Sequence, residues 1–215
     1  MIGFYEILTY HTGIYNKGEK RTMMMNGKDG KKFWIKKAEE CDVEQIMEVM
    51  ESVKRVTKPE WFVADDRDYI KDHIEKSGFI LKAETKEKKI AGFFMVDFPR
   101  ESSANMGIDL GLKGEALNQV AHMDSAAVLP EFRGNHLQEE MMKKAEEILD
   151  ETGKYRYRMC TVCPENQYSL HNVQKMGYRI LKTAEKYGGL LRHILYKDMA
   201  EIVTEDAQIS LQSER

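Results

Sequence analysis

Apolar and polar positions recur along the chain with two different periods, and each period predicts one kind of element. Apolar residues three and four positions apart predict amphipathic helices, as at Ile46, Met50 and Val53. Short apolar runs between glycines and charged residues predict strands. From residue 33 onward the predicted order is β-α-α-β-β-β-α-β-α-β-β. The predicted strands are 33–35, 79–84, 90–98, 117–129, 157–162, 178–183 and 190–197, and the predicted helices are 43–53, 66–76, 137–152 and 167–175.

Short signals at the ends of elements refine this order. The charged residues 86–89 lie between two predicted strands and predict a hairpin turn. Asp42, with Gln45 three residues later, predicts a capping box at the start of the first helix. The pair Gly188-Gly189 predicts a second hairpin turn near the end of the patterned region.

The two ends of the chain differ from the patterned part. Residues 1–31 are first mildly apolar and then polar and glycine-rich, and Met23, Met24 and Met25 offer alternative translation starts. We expect low order in this extension and a polar tail over residues 201–215. The patterned residues 32–200 form the predicted domain.

Composition narrows the class of protein. The 215 residues suffice for one domain with a substantial core, and 42% hydrophobic with 32% charged residues is typical of a soluble globular protein. The formal net charge of −3 argues against a nucleic-acid partner, because phosphate binding calls for excess positive charge. No apolar run approaches the roughly 18 residues of a membrane span, so no membrane partner is expected.

Three cysteines, Cys41, Cys160 and Cys163, indicate a reducing compartment and predict a cytoplasmic location. Cys160 and Cys163 form a C-x-x-C pattern, which raises a redox pair or half of a zinc site as interpretations. A redox pair usually begins a helix, whereas these residues end a predicted strand. A structural zinc site needs four ligands, and the chain has no second pair. The pattern therefore favours buried small side chains and no metal site, with a redox protein as the alternative.

The stretch from residue 124 to 138 carries the strongest chemical signal. A short apolar run ends at Pro130, a turn with Arg133 and Gly134 follows, and a helix begins near residue 137. A strand, tight turn and helix start in this order point backbone N–H groups and the positive end of a helix dipole at one spot. That spot suits a phosphate or pyrophosphate group.

The same stretch resembles the coenzyme A pyrophosphate loop of the GNAT superfamily of N-acetyltransferases, whose pattern is Arg/Gln-x-x-Gly-x-Gly/Ala. The usual Arg133 and the glycine after it, Gly134, are present, whereas His136 and Gln138 replace the two pattern glycines. The element order is also that of the superfamily over residues 33–199. The resemblance implies an α/β domain of α+β layered type, with a mixed, mostly antiparallel sheet splayed between its fourth and fifth strands, helices on both faces, and acetyl-CoA as co-substrate in the opening.

The resemblance also implies a set of cofactor contacts. The backbone of Ser125, Ala126 and Val128 would pair with the pantetheine arm. The residues assigned by resemblance to the pyrophosphate are Arg133, Gly134, Asn135, His136, Leu137 and Gln138. The His136 ring could donate to a phosphate or close the site. Asn166 and Ser169 match the pattern that follows the fifth strand and would touch the cofactor, while Asn166 could equally be a helix N-cap.

Candidate catalytic residues lie just upstream of this loop. Strand alternation places His122 and Asp124 on the same side as Ala126 and Val128, where several superfamily members carry a base. Histidine suits proton transfer near neutral pH, and Asp124 could orient it or share a water. The alternative is a satisfied strand histidine and a locally paired aspartate. The usual catalytic tyrosine falls on Val173, which leaves Tyr168 or Ser169 as the nearest hydroxyl for a general acid.

The sequence says less about the part of the domain that would bind the acceptor amine. The resemblance implies that the first two helices and the last hairpin wall the acceptor pocket, and these segments contain Trp61, Phe62, Tyr187 and Arg192. The aromatic residues could be wall or core, and Arg192 could bind an acidic group or lie on the surface. The predicted function is acetyl transfer to a primary amine by direct attack in a ternary complex. The alternative is a degenerate domain that senses acyl-CoA or scaffolds a partner, and a homodimer is possible.

Overall fold

The computed structural model describes residues 22–201, and the predicted tail beyond residue 201 and the first 21 residues of the predicted extension lie outside them. The strands are β1 (Met23–Asn26), β2 (Lys32–Lys37), β3 (Gly78–Thr85), β4 (Ile90–Asp97), β5 (Val120–Val128), β6 (Tyr157–Val162), β7 (Arg179–Lys186) and β8 (Leu190–Asp198). The helices are α1 (Val43–Val56), α2 (Arg67–Glu75), α3 (Leu137–Thr152) and α4 (Gln167–Lys175). The predicted order of elements is confirmed, with one strand added at the front.

The added strand, β1, was not predicted. It pairs antiparallel with β2, from Met23 opposite Ile35 to Asn26 opposite Lys32. Met23 and Met25 are half-buried against the core, whereas Met24 is exposed, so three consecutive methionines alternate as strand residues do. A run of identical residues hides this alternation from sequence reasoning. The sheet therefore extends N-terminal to the domain boundary predicted at residue 32.

One sheet of eight strands organises the molecule, in the order β1-β2-β3-β4-β5-β6-β8-β7. All neighbours are antiparallel except β5 and β6, which are parallel. Their pairing covers three residue pairs, from Val120 opposite Tyr157 to His122 opposite Met159. Beyond that point β5 remains paired with β4 and β6 with β8, so the two strands diverge. The predicted mixed sheet and its splayed opening are confirmed.

The helices cover both faces of this sheet, as predicted. Leu137, Met141 and Leu149 of α3 and Val173 of α4 pack into the core cluster on one side, which we call the α3 face. Side chains of α1 and α2 pack into a second cluster on the opposite side, the α1 face. A third cluster, formed around Met106, Val120, Met159 and Ile194, packs against β5, β6 and β8. No helix among residues 22–201 has the length and apolar character needed to cross a membrane.

Two helix starts show how buried charges change local rules. Asp66 caps α2 by accepting a hydrogen bond from the Tyr69 N–H at 2.8 Å. Asp42 precedes α1, but the capping box predicted with Gln45 is wrong. The Asp42 carboxylate instead accepts from the Glu39 N–H and pairs with the buried Lys82 ammonium. Leaving the buried Lys82 ammonium unpaired would cost more free energy than leaving the start of α1 without a side-chain cap.

Candidate active site

The central feature of the site is a β-bulge in β5 at the opening of the sheet. Phe94 of β4 pairs with Ala126 of β5, and Val96 pairs with Met123. A two-residue step on β4 therefore faces a three-residue step on β5. The extra residue breaks the strict alternation of side chains between the two faces of the strand.

The bulge separates residues that were expected to share a side. Ala126 and Val128 pack on the α3 face, whereas Asp124 contacts α2 on the α1 face. His122 bonds to residues of that same α1 side. The prediction that His122 and Asp124 project with Ala126 and Val128 is therefore wrong, because alternation with period two does not survive the bulge. The expected cofactor-arm residues and the expected base lie on opposite faces of one strand.

Asp124 lies in an acidic cluster beside the opening. The Tyr69 hydroxyl donates to Asp124 Oδ2 at 3.2 Å, and the Ser125 hydroxyl donates to Asp65 Oδ2 at 2.8 Å. Burial raises the pKa of Asp124 to about 6, and the negative charges of Asp65 and Asp97 add to this effect. Burial also raises the pKa of Asp65, although the Ser125 hydrogen bond opposes it. Asp124 therefore changes its protonation close to neutral pH.

His122 is held by hydrogen bonds at both ring nitrogens. Nδ1 lies 3.0 Å from Asp97 Oδ2, and Nε2 accepts from the Met106 N–H at 3.1 Å. A backbone N–H can only donate, so Nε2 carries the lone pair and Nδ1 carries the proton. The ring has no free lone pair for a substrate proton. The arrangement matches the alternative interpretation of His122 as a satisfied strand histidine.

Asp97 joins His122 to a second histidine, His73 of α2. His73 Nε2 lies 3.1 Å from Asp97 Oδ1, and its Nδ1 donates to the Tyr69 carbonyl at 2.8 Å. Burial lowers the pKa of His73, but these two acceptors outweigh it and raise the pKa. Burial raises the pKa of Asp97, but the hydrogen bonds from both imidazoles outweigh it and lower the pKa. Asp97 is therefore an anion held between two rings.

Sequence reasoning missed four members of this cluster. They are Asp65, Tyr69, His73 and Asp97. One signal was available: Tyr69 and His73 are four residues apart and so share one face of α2, and their rings lie 4.1 Å apart.

The predicted phosphate loop adopts a conformation that leaves its backbone N–H groups without partners in the described part of the chain. Gly134 and His136 both have left-handed backbones, with φ of 79° and 58°. Among the described residues, the backbone N–H groups from 134 to 139 have no hydrogen-bond acceptor. These groups precede and begin α3, a helix of 16 residues. The loop therefore presents a set of unpaired backbone donors at the positive end of a helix dipole.

Side chains of this loop mostly point away from those donors. Asn135 and Leu137 are buried, and Asn135 Oδ1 accepts from the Lys28 N–H at 2.7 Å. The His136 side chain is 70% exposed, with Nδ1 3.8 Å from Glu139 Oε2. The His136 ring thus extends into solvent and does not fill the loop.

The turn between β1 and β2 lies against the phosphate loop. A Cβ placed on Gly27 would come within 2.5 Å of Asn135 Oδ1, so only glycine allows this approach. Lys28 Nζ lies 3.5 Å from the position of a Cβ on Gly134. Exposed Arg133 and Lys28 of this turn are two cations, and neither has a carboxylate partner among the side chains that the structure describes. Sequence reasoning missed Lys28 because β1 was not predicted.

The last hairpin, β7 to β8, carries Tyr187 and Arg192, two of the residues expected near the acceptor. The Tyr187 hydroxyl lies 3.0 Å from Thr161 Oγ1, and the Arg192 guanidinium lies 5.6 Å from the Tyr187 ring centroid. Arg192 is 3% exposed, which excludes the interpretation of a surface arginine. Phe62 packs on the α1-face core, and the buried Trp61 Nε1 has no hydrogen-bond partner among residues 22–201.

Cys160 lies in β6, and Cys163 follows the end of that strand. Cys160 and Cys163 are buried, and burial raises the pKa of Cys160 to about 12. Such a thiol stays protonated at neutral pH and is a poor nucleophile. This favours packing over redox chemistry for Cys160. Within residues 22–201, no group of three or more His, Cys, Asp or Glu side chains is arranged to hold a metal ion.

Comparison with known proteins identifies the family. The model of the acetyltransferase (GNAT) family matches residues 43–178, which include α1, the splayed strands, the phosphate loop and α4. The chain belongs to the GNAT family. No curated protein matches the sequence at a significant level.

Solved structures share the GNAT fold at low identity. A GNAT acetyltransferase from Listeria monocytogenes is 18% identical, with a TM-score of 0.62 over 81% of this chain and 99% of its own. One from Streptococcus pneumoniae is 17% identical, with a TM-score of 0.61 over 78% and 99%. A Salmonella typhimurium protein solved with its cofactor acetyl-CoA is 15% identical, with a TM-score of 0.56 over 77% and 92%.

The α4 end of the GNAT domain is less complete as a catalytic site. Asn166 Oδ1 accepts from the Ser169 N–H at 3.1 Å, so Asn166 is an N-cap. Tyr168 is 82% exposed, and its hydroxyl has no hydrogen-bond partner among residues 22–201. Val173, at the position of the usual tyrosine, is buried in the core. Among the described residues of α4, none holds a hydroxyl group near Asp124.

Proposed function

We propose that this GNAT protein is an acetyl-CoA-dependent N-acetyltransferase that transfers an acetyl group to a primary amine by direct attack in a ternary complex. The observation that carries the proposal is Asp124, a carboxyl group with a pKa of about 6 next to the point where β5 and β6 separate. A base with a pKa near the working pH is the most effective proton acceptor.

In this proposal the phosphate loop binds the pyrophosphate of acetyl-CoA. The exposed N–H groups of Gly134 through Gln138 donate to phosphate oxygens, and Arg133 and Lys28 add positive charge. The left-handed backbone at His136 supports this assignment, because the loop keeps the conformation that glycine usually provides. The solvent-exposed His136 ring is free to donate to a phosphate oxygen.

The open edge of β5 binds the pantetheine arm. From Met123 onward this edge has no partner strand among the described residues, since its pairing with β6 ends at His122. Main-chain groups of Ser125, Ala126 and Val128 pair with the arm as an added strand would. Asn166 and Ser169 at the start of α4 flank the arm on the β6 side.

The acceptor amine approaches from the α1 face. It arrives as an ammonium ion, and the charges of Asp65, Asp97 and Asp124 attract it. Asp124 accepts one proton from the ammonium, directly or through one water. The neutral amine attacks the thioester carbonyl, a C–N bond forms, the C–S bond breaks, and the product loses its second proton to solvent.

The departing coenzyme A thiolate needs no protein acid in this scheme. An ordinary thiol has a pKa of about 8.5, so its thiolate is a stable leaving group near neutral pH. We therefore assign protonation of the thiolate to water, which enters past the exposed Tyr168. His122 positions Asp97 and the Met106 backbone and takes no substrate proton.

Cofactor binding is tested by calorimetric titration with acetyl-CoA and with coenzyme A. Gly134→Asp places a carboxylate at the pyrophosphate and should weaken binding about fivefold or more, because like charges a few Å apart repel by about 1–4 kcal/mol. Gly134→Asn is the matched control, since it has the same shape and the same tolerance of a left-handed backbone but no charge. Equal affinities of the two variants would contradict the assignment of the loop.

Catalysis is tested by thiol release with a panel of primary amines. Release that depends on both acetyl-CoA and an amine supports the enzyme. Binding of acetyl-CoA without release on any amine would refute the enzyme and support the sensor. Ping-pong kinetics with an acetylated enzyme would refute direct attack.

A further inference from the structure

One buried cation in the described part of the chain has no anionic partner. Buried lysines and arginines there are Lys82, Lys144, Arg158 and Arg192. Lys82 pairs with Asp42 and Glu84, Lys144 pairs with Glu147, and Arg158 pairs with Asp150 and Glu146. Arg192 has no carboxylate and no hydrogen bond among residues 22–201, and its Nε is buried and unsatisfied.

This exception is informative because a buried unpaired charge is strongly destabilising. Arg158 is as deeply buried as Arg192, and two carboxylates compensate it. The compensation for Arg192 among the described residues is the face of the Tyr187 ring, 5.6 Å away. Such a guanidinium can donate to an anion that lies outside the described residues.

The position of Arg192 in the sheet indicates which ligand could supply the anion. β8 is in unbroken register with β6, so Arg192 shares a side with Ile194 and Tyr196, which pack in the third cluster together with Val120 of β5. That is the side of the sheet from which Asp124 contacts α2. The phosphate loop and α3 belong to the opposite face. An anion held by Arg192 would therefore lie on the side of the sheet opposite the phosphate loop, where the proposed function places the acceptor.

Tyr187 connects this cation to the acidic cluster. Burial raises the pKa of Tyr187, and the charges of Asp124, Arg192 and Asp65 all act on its phenol. Carboxylates and a guanidinium thus both lie near the Tyr187 side chain. A ligand with an ammonium group at one end and an anionic group at the other matches this arrangement.

We propose, on the basis of the proposed function, that the acceptor is a small amino carboxylic acid whose carboxylate binds Arg192 while its amine faces Asp124. The planar guanidinium favours a carboxylate, which it can bind through two parallel hydrogen bonds.

The test measures acetylation of the L-amino acids and of ω-amino acids, each against its own carboxamide. The wild-type protein should prefer an acid over its amide by about 100-fold in kcat/KM, because charge-assisted hydrogen bonds are lost in the amide. Arg192→Gln should raise KM for the acid about 100-fold and leave KM for the amide and the affinity for acetyl-CoA within about twofold. The KM of Arg192→Lys for the acid should lie between those of the wild type and of Arg192→Gln. Arg179→Gln, which removes an exposed arginine of β7, should have the wild-type KM for the acid.

A binding measurement separates this proposal from the proposed function. Preferred amino acids should raise the melting temperature of the coenzyme A complex for the wild type and not for Arg192→Gln. Transfer to neutral amines with no dependence on Arg192 would overturn the carboxylate site alone. Stabilisation that depends on Arg192, with no transfer to any amine, would overturn the acetyltransferase alone. A loss of folding in both Arg192 variants, with equal wild-type rates for acid and amide, would assign Arg192 a structural role and overturn the proposal.

Discussion

Replacing Asp124 by Asn should make the protein more stable and less active at the same time. The ordinary pKa of an aspartate is 3.8, and in the fold the pKa of Asp124 is about 6 because the carboxylate is buried beside Asp65 and Asp97. The folded state therefore binds the proton more tightly than the unfolded state does. Stability is greatest when Asp124 is protonated and is lost as the pH rises from 3.8 through 6.

The size of the loss follows from the two pKa values. At about 1.4 kcal/mol for each tenfold difference in proton affinity, the ionised carboxylate costs about 3 kcal/mol above pH 7. Asn resembles the protonated acid, so it escapes this cost. Asp124→Asn should gain about 0.5 kcal/mol at pH 4, about 1.5 at pH 5 and about 3 from pH 7 upward.

Urea unfolding of the wild type and of Asp124→Asn at each pH measures this difference. Asp68→Asn is a control on α2, where the carboxylate is exposed, and should change stability by less than about 0.5 kcal/mol at every pH. In parallel, kcat should fall by about 10²- to 10⁴-fold in Asp124→Asn. The wild-type kcat/KM should decline as the pH falls through about 6. A stability difference that does not vary with pH, or a less stable variant at pH 7, would refute the reasoning.

Three other substitutions test separate parts of the structure. His122→Ala should lower the free energy of unfolding by about 2–4 kcal/mol, because it leaves two buried partners unsatisfied, and the decline of kcat/KM near pH 6 should persist; disappearance of that decline would make His122 the base. Lys28→Ala should weaken acetyl-CoA binding about three- to tenfold in a salt-dependent manner, whereas the exposed Lys54→Ala should not, and equal affinities would remove the β1–β2 turn from the cofactor site. Cys160→Ser should lower the melting temperature without changing kcat, whereas a loss of activity would support the redox alternative.

Much of the fold could be predicted from the sequence because its elements follow simple periods. The apolar positions of α1 and the limits of α3, β6 and α4 came directly from spacing and from end signals such as Gly153. The strand, turn and helix start from β5 to α3 could be predicted for a similar reason, since they are local features. The family resemblance then supplied the strand order and the opening.

The acidic cluster could not be predicted in the same way because it depends on contacts between distant segments. Asp124 and Tyr69 are 55 residues apart, and Ser125 and Asp65 are 60 apart. The bulge that turns Asp124 toward α2 arises because β5 has one more residue than β4 at that point. The pattern of apolar residues within either strand does not predict it. Arg192 is likewise unusual because it is buried without a carboxylate partner among the described residues. A sequence alone does not show which side chains surround a buried arginine.

The short parallel contact between β5 and β6 makes the sheet two hydrogen-bonded blocks with a weak seam. Strands β1–β5 form one block and β6–β8 the other, and three residue pairs connect their backbones. A ligand that pairs with the open edge of β5 would act as a brace across that seam. Local opening and protease cleavage near the seam should then slow as acetyl-CoA rises. The lifetime of the protein in a cell would in this way follow the supply of its own cofactor.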